Sequence, residues 1–317
     1  MRPLVVILLL LAALGLLAGS GRRWSLLAEV IRAARQDAKH TIEVGGTERS
    51  YLLHVPAALP TGRGVPLVLI FHGGGGHAWN MPGFTHFDDL ADREGFIAAY
   101  PDSIGGNWND DREISTTDDV AFVRAVIEDI ERDHAIDPRR IYATGISNGG
   151  FFSNKLACDL GDRIAAIASV AATMPEKLLA RCKPSRPMSV LYMHGTNDPL
   201  VPIEGGKVGL RHGRSRGQCV SLTDAARFWR TEDQIGAAGD PDADDLPDHV
   251  DDGTHVHRET WGGGRDGTEV VVYTIEGGGH AWPGGAQYLP KFIVDVASQN
   301  LDATRTIWDF LRTHSLP

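Results

Sequence analysis

Strand-like and helix-like segments alternate along most of this 317-residue chain, which predicts an α/β fold: a doubly wound, mostly parallel sheet with helices on both faces, forming a single domain. Two local patterns support that prediction. Residues 65–71 form an unbroken apolar run that ends in His72 and four glycines, as a strand buried on both faces would read. Residues 141–144 then read as a β-branched strand running directly into Gly145-Ile146-Ser147-Asn148-Gly149, followed by helix-like sequence over 151–160. A turn that tight needs glycine at the flanking positions, and it holds the serine out where a substrate carbonyl can reach it.

The elements follow in order. Residues 41–55 predict a hairpin turning at Gly45-Gly46, and 65–71 a buried strand. A helix is expected over 87–94 and a strand over 96–100, stopped by Pro101-Asp102. Val120, Val123, Val126, Ile127 and Ile130 recur at helical spacing and predict a core-packed helix over 118–134. Residues 140–144 lead into the serine turn. Strands are expected at 164–171 and 189–194, and a helix at 222–234. The segment 236–254, acidic and proline-containing, reads as loop. Residues 270–275 predict a last strand, and 302–314 a closing helix with Ile307, Phe310 and Leu311 inward.

The N-terminus reads separately. Residues 1–20 form a signal peptide or signal anchor: Arg2, an apolar run over 4–17, then Ala18-Gly19-Ser20. The run is short for a membrane span, which needs about 20 apolar residues. Residues 21–40 place Trp24, Leu27, Ile31 and Ala34 at helical spacing beside Arg32 and Arg35, an amphipathic helix. Residues 41–317 would then be the catalytic domain. The chain is expected to be exported, either secreted or held in the periplasm or cell envelope, with membrane contact only through residues 1–35. A net charge of −10 argues against nucleic-acid partners, which need basic surface.

Three cysteines are present, Cys158, Cys182 and Cys219. In an exported chain two can pair and leave one over. Closing the loop between Cys158 and Cys182 would stabilise by about 3 kcal/mol, and Cys219, ahead of Val220 and Leu222, reads as a buried thiol. None has metal-ligand spacing. Asp240-Pro241-Asp242-Ala243-Asp244 starts like a calcium loop, but Asp245 stands where glycine is required, so it reads as a solvated acidic loop.

Hydrolysis by serine needs a base for the hydroxyl proton, a carboxylate to orient that base, and donors for the developing oxyanion. The Gly-x-Ser-x-Gly turn is the nucleophile elbow of an α/β-hydrolase, in which the acid and then the histidine follow the serine along the chain. Two later strands end in those residue types: 189–194 runs out to Asp198 before Pro199, and 270–275 to His280 after three glycines. Ser147, Asp198 and His280 are therefore the candidate triad. Backbone N–H groups of Gly74 and Asn148 are the candidate oxyanion donors. Trp282, two residues from His280, and Trp108 are candidates for the substrate pocket. No Gly-Lys-Ser/Thr follows the glycines, which excludes a phosphate-binding loop.

These segments together resemble the polyhydroxybutyrate depolymerase-like esterase family, which includes feruloyl and acetyl xylan esterases. The most specific stretch is Gly278-Gly279-His280-Ala281-Trp282-Pro283-Gly284-Gly285, and the similarity runs from about Thr41 to the C-terminus. The resemblance implies an α/β-hydrolase fold, a carboxylic ester substrate, no cofactor, the same triad, and a Cys158–Cys182 disulfide. The chain lacks the separate binding module and linker of family members that attack solid polyester. A soluble hydroxyalkanoate oligomer or a hydroxycinnamoyl or acetyl sugar ester is the expected substrate. A peptidase on the same fold and an envelope-anchored, non-catalytic binding protein are the alternatives.

Overall fold

The computed structural model describes residues 39–60, 62–210, 213–236 and 240–317. The expected leader and the greater part of the amphipathic segment lie outside these. Strands are β1 (Lys39–Val44), β2 (Thr47–His54), β3 (Val65–Phe71), β4 (Ile97–Pro101), β5 (Ile136–Ile146), β6 (Ala166–Val170), β7 (Ser189–Gly195), β8 (Gly206–Lys207), β9 (Gln218–Cys219), β10 (Asp242–Asp245), β11 (His255–Trp261) and β12 (Val270–Glu276). Helices among the described residues are α1 (Met81–Thr85), α2 (Phe87–Glu94), α3 (Asp119–Asp133), α4 (Asn148–Asp159), α5 (Glu176–Arg181), α6 (Leu222–Glu232), α7 (Lys291–Val294) and α8 (Ala303–Leu311).

One large sheet runs β1-β2-β4-β3-β5-β6-β7-β12-β11-β10. Its centre, from β4 through β12, is parallel, and β2, β11 and β10 join antiparallel at the flanks. β8 and β9 form a separate two-stranded ribbon. The central strands read as near-continuous apolar runs because both faces are covered. Along β3, Leu67, Leu69 and Phe71 pack into one core with α3, α4 and α6, while Val68 and Ile70 face a second core with α2 and α8. The period of two along each strand divides the interior into these two layers.

Element boundaries follow identifiable chemistry. Asp118 caps α3 by accepting from Ala121 N at 3.0 Å, and Asp302 caps α8 by accepting from Arg305 N at 3.0 Å. The β1–β2 turn uses Gly45 (φ 59°) and Gly46 (φ 78°), the left-handed pair a two-residue hairpin requires. Cys158 and Cys182 form a disulfide and Cys219 is a buried free thiol.

One expectation fails. The acidic segment read as loop contains β10, which pairs with β11, itself not foreseen. Aspartate is a poor strand former, yet two of the three aspartates find a basic neighbour across the ladder: Asp244 accepts from Arg258 Nε at 2.8 Å and Asp245 meets His257 Nδ1 at 2.7 Å. Charged residues on an exposed edge also discourage pairing with another chain.

Candidate active site

The parallel strands end together. Phe71 of β3 pairs with Gly145 of β5, Gly145 with Ser169 of β6, and Gly195 of β7 with Ile275 of β12. The residues just beyond these ends, His72–Gly76, Ser147, Asp198 and His280, are therefore gathered at one edge, the carboxyl side where open α/β sheets place their sites.

Ser147 occupies the bend between β5 and α4 at φ 56°, ψ −120°, a conformation a non-glycine residue holds at a cost of about 1–3 kcal/mol. Its N–H donates to Val170 O at 2.8 Å and its C=O accepts from Phe151 N at 2.9 Å, so neighbouring strand and following helix both fix the bend. The flanking glycines are steric necessities. A Cβ on Gly149 would stand 2.2 Å from the Phe71 carbonyl oxygen, and one on Gly145 would stand 2.6 Å from it. Only without side chains can α4 start this close to β3.

His280 and Asp198 meet although 82 residues separate them. His280 Nδ1 donates to Asp198 Oδ2 at 2.7 Å, which leaves Nε2 free to accept a proton. The other carboxylate oxygen accepts from Leu200 N and Val201 N, both at 2.8 Å. Burial alone would raise the pKa of Asp198. The facing His280, the nearby His194 and the backbone donors outweigh it and hold the carboxyl below its ordinary value, so Asp198 stays ionised. His280 is pinned through its own backbone, its N–H donating to Val294 O at 2.6 Å and its C=O accepting from Tyr288 Oη at 3.1 Å.

His194 was not singled out in the sequence. It is fully buried behind Asp198, donates from Nε2 to Val201 O at 2.8 Å, and burial pushes its pKa down. His72 is likewise held neutral by burial; its Nδ1 bonds Gly73 O at 2.8 Å and its Nε2 accepts from Ser103 N at 3.2 Å.

The N–H groups of Gly75 and Gly76 are occupied by Gly106 O and Gly73 O, whereas Gly74 makes no backbone bond of this kind among the described residues. Asn148 begins α4, so its N–H is one of the orphan donors of a helix N-terminus, where the helix dipole also favours negative charge. Its side chain is engaged elsewhere: Oδ1 accepts from Trp108 N at 2.7 Å and Nδ2 donates to Asp110 at 2.6 Å.

Ser147, Asn148, His280 and the glycine loop line one cavity of about 600 Å³. Its apolar wall comes from Met81, Phe84, Val201, Val208, Leu289 and Ile293, with Tyr288 beside them. Arg112, Arg214 and Arg216 also line it. Among the described residues no cluster of histidine, cysteine and carboxylate side chains is arranged to hold a metal.

The two tryptophans expected in the pocket are not in it. Trp108 is fully buried, stacked on Phe152 with ring centroids 5.0 Å apart, and donates from Nε1 to His72 O at 3.0 Å. It supports the glycine loop from below. Trp282 points away from His280 into the second core, where its Nε1 donates to Thr304 Oγ1 at 3.0 Å. Proximity in sequence to a site residue does not set side-chain direction, and a large apolar ring is drawn to the core. Phe84 and Tyr288, packed edge to face at 5.5 Å, supply the aromatic wall instead. Neither carries a motif that would have revealed it.

Comparison with known proteins agrees with this architecture. A family model described as the alpha/beta hydrolase fold matches residues 66–190. The chain is 32% identical over 286 residues to "Putative esterase NocK" of Nocardia uniformis subsp. tsuyamanensis, covering 85% of this chain and 81% of that one. It is 28% identical to feruloyl esterase B of Piromyces equi over 276 residues, 85% of this chain but only 46% of that longer protein. A solved thermostable esterase superimposes over 89% of this chain with a TM-score of 0.57 at 18% identity, which speaks for the fold. With one relative matched across most of both chains and the nucleophile turn in place, the protein belongs to the α/β-hydrolase family, among its carboxylic ester hydrolases.

Proposed function

We propose that this protein is an exported serine carboxylesterase that works through an acyl-enzyme, with Ser147 as nucleophile, His280 as base and Asp198 as the group that orients it. The observation that carries the proposal is the His280–Asp198 bond of 2.7 Å beside the cavity that the strained Ser147 also lines. In the first half-reaction His280 Nε2 takes the hydroxyl proton as Ser147 Oγ attacks the ester carbonyl, and the oxyanion is met by the N–H groups of Gly74 and Asn148. Collapse expels the alcohol, which receives that proton from His280. Water then attacks the acyl-enzyme by the same route and restores the serine.

The substrate we propose is a soluble hydroxyalkanoate oligomer or a hydroxycinnamoyl or acetyl sugar ester, supported by the mainly apolar cavity and by the likeness to a feruloyl esterase. Export is supported by the leader-like residues 1–20 and by the disulfide, which persists in oxidising compartments. We take 41–317 as the hydrolase domain.

The test is hydrolysis of methyl ferulate, a hydroxybutyrate oligomer and a short p-nitrophenyl ester by the folded protein and by Ser147→Ala. The proposal requires turnover by the wild type to exceed that of the variant by about 10⁴-fold or more on at least one ester. Equal rates would refute it.

A further inference from the structure

The cavity has a charge pattern that ester hydrolysis alone does not need. The chain as a whole carries a net charge of −10, yet no aspartate or glutamate is among the described residues that line the cavity, and three arginines are. The three are not equivalent. Arg112 is buried and neutralised: its Nε and a terminal nitrogen donate to Asp110 Oδ2 at 2.9 and 2.6 Å, and its guanidinium lies 4.0 Å over the Phe151 ring. Neither Arg214 nor Arg216 forms a close ion pair with a carboxylate among the described residues; Arg216 bonds Asn107 instead and feels Asp110 only at longer range.

Arg216 is also positioned rather than loose. It lies on the hairpin that β8 and β9 close, where its N–H donates to Val208 O at 2.9 Å and Val208 N donates to Gly217 O at 3.0 Å. Its backbone carbonyl accepts from Arg112 at 3.3 Å, so the neutralised Arg112–Asp110 pair holds the hairpin in place. Asp110 in turn accepts from Asn148 Nδ2, the residue next to the nucleophile. The Arg216 guanidinium bonds Asn107 Oδ1 and sits against the glycine loop: a Cβ on Gly74 would stand 2.6 Å from one of its terminal nitrogens. Partial burial and then the neighbouring Arg112 work against its positive charge, and the Asp110 carboxylate offsets them only in part.

We infer that Arg216, assisted by Arg214, binds a carboxylate carried by the substrate, so that the preferred ester is an anion with its carboxylate away from the scissile bond. A planar guanidinium suits a carboxylate, and the apolar residues that line the same cavity can accept the carbon chain between the two ends. A linear hydroxyalkanoate oligomer with a free acid end has this chemistry, and a neutral acetyl sugar does not. The inference rests on the esterase reading above and narrows its substrate.

Two matched pairs test it, one for each side of the ester bond. On the acyl side, p-nitrophenyl hydrogen adipate is compared with the corresponding adipamate; on the alcohol side, 4-(butyryloxy)butanoate is compared with its amide. At low salt the wild type should favour the carboxylate in at least one pair by about tenfold in kcat/KM. Arg216→Gln should collapse that ratio towards one, and Arg216→Lys should keep part of it. Because each ratio is internal to one preparation, a partly misfolded variant cannot imitate the result. Added salt should also shrink the preference. Equal rates within both pairs, or a loss in Arg216→Gln that is the same for anion and amide, would overturn the inference and leave the esterase standing. No hydrolysis of either member of either pair beyond that of Ser147→Ala would remove both.

Discussion

At the scale of single residues, the account turns on how one hydrogen bond assigns protons. Asp198 accepts three times, from His280, Leu200 and Val201, and is held ionised below its ordinary range. An ionised acceptor fixes the proton on His280 Nδ1 and leaves Nε2 unprotonated, the nitrogen that the proposed mechanism uses as base. Asp198→Asn can keep the shape and still reverse that arrangement, since an amide nitrogen facing His280 favours the other tautomer. Its kcat should fall by about 10⁴-fold with little change in KM, measured on a p-nitrophenyl ester; a loss below tenfold would mean that Asp198 does not orient the base. The meeting of His280 with Asp198, and the gathering of His280 and Ser147 at one cavity, were legible in the sequence because order along the chain and place at the strand ends follow from the sheet. Trp108 and Trp282 were misread because nearness along the chain says nothing about which face a ring takes. Arg216 had no signal at all: it is 69 positions beyond Ser147, and only the folding of the β8–β9 hairpin brings it to the cavity.

At the scale of elements, the nucleophile turn is a junction where β3, β5 and α4 approach more closely than side chains permit. The atoms that a Gly149 Cβ would meet are the backbone oxygen and carbon of Phe71, which cannot rotate away. Gly149→Ala should therefore lower the free energy of unfolding by about 3 kcal/mol, read from a denaturant titration. Gly83, within α1, meets nothing within 4 Å, so Gly83→Ala should change stability by less than about 1 kcal/mol and serves as the control. Equal effects would contradict the crowding argument. The strands and helices that read most clearly were those with long apolar periodicity: the sequence places α2 at its observed limits and α3 to within a residue at each end. β10 stayed hidden because Asp242-Ala243-Asp244-Asp245 has neither apolar alternation nor strand propensity. Its pairing depends on His257 and Arg258 in a strand that starts ten residues later.

At the scale of the whole molecule, two cores on either side of one sheet leave few charged groups inside, and one that remains predicts how stability follows pH. Asp233, at the end of α6, is fully buried, and its pKa is pushed up to about 6 by that burial, against the bond it accepts from Met188 N at 2.9 Å. The folded protein thus holds this proton more tightly than the unfolded chain. The contribution is fully present below the ordinary value of 3.8 and is lost as pH rises through about 6. Asp233→Asn has no charge to bury, so it should exceed the wild type in stability at pH 8 by about 1–2 kcal/mol, a gap that closes towards pH 4. Melting curves across that range give the comparison, and a gap that widens on acidification would reverse the assignment. The same scale explains the contrast between an acidic chain and a basic cavity. The overall charge repels anionic polymers, while the local field at the strand ends draws a small anion inward.

The central claim is that Ser147 is a nucleophile activated by His280, and covalent labelling tests it most directly. A fluorophosphonate reacts with an activated serine, and peptide mass analysis locates the adduct. The account predicts a single adduct on Ser147 in the folded protein, absent in Ser147→Ala and strongly slowed in His280→Ala. A folded protein that leaves Ser147 unlabelled, or that labels as fast without His280, would contradict it.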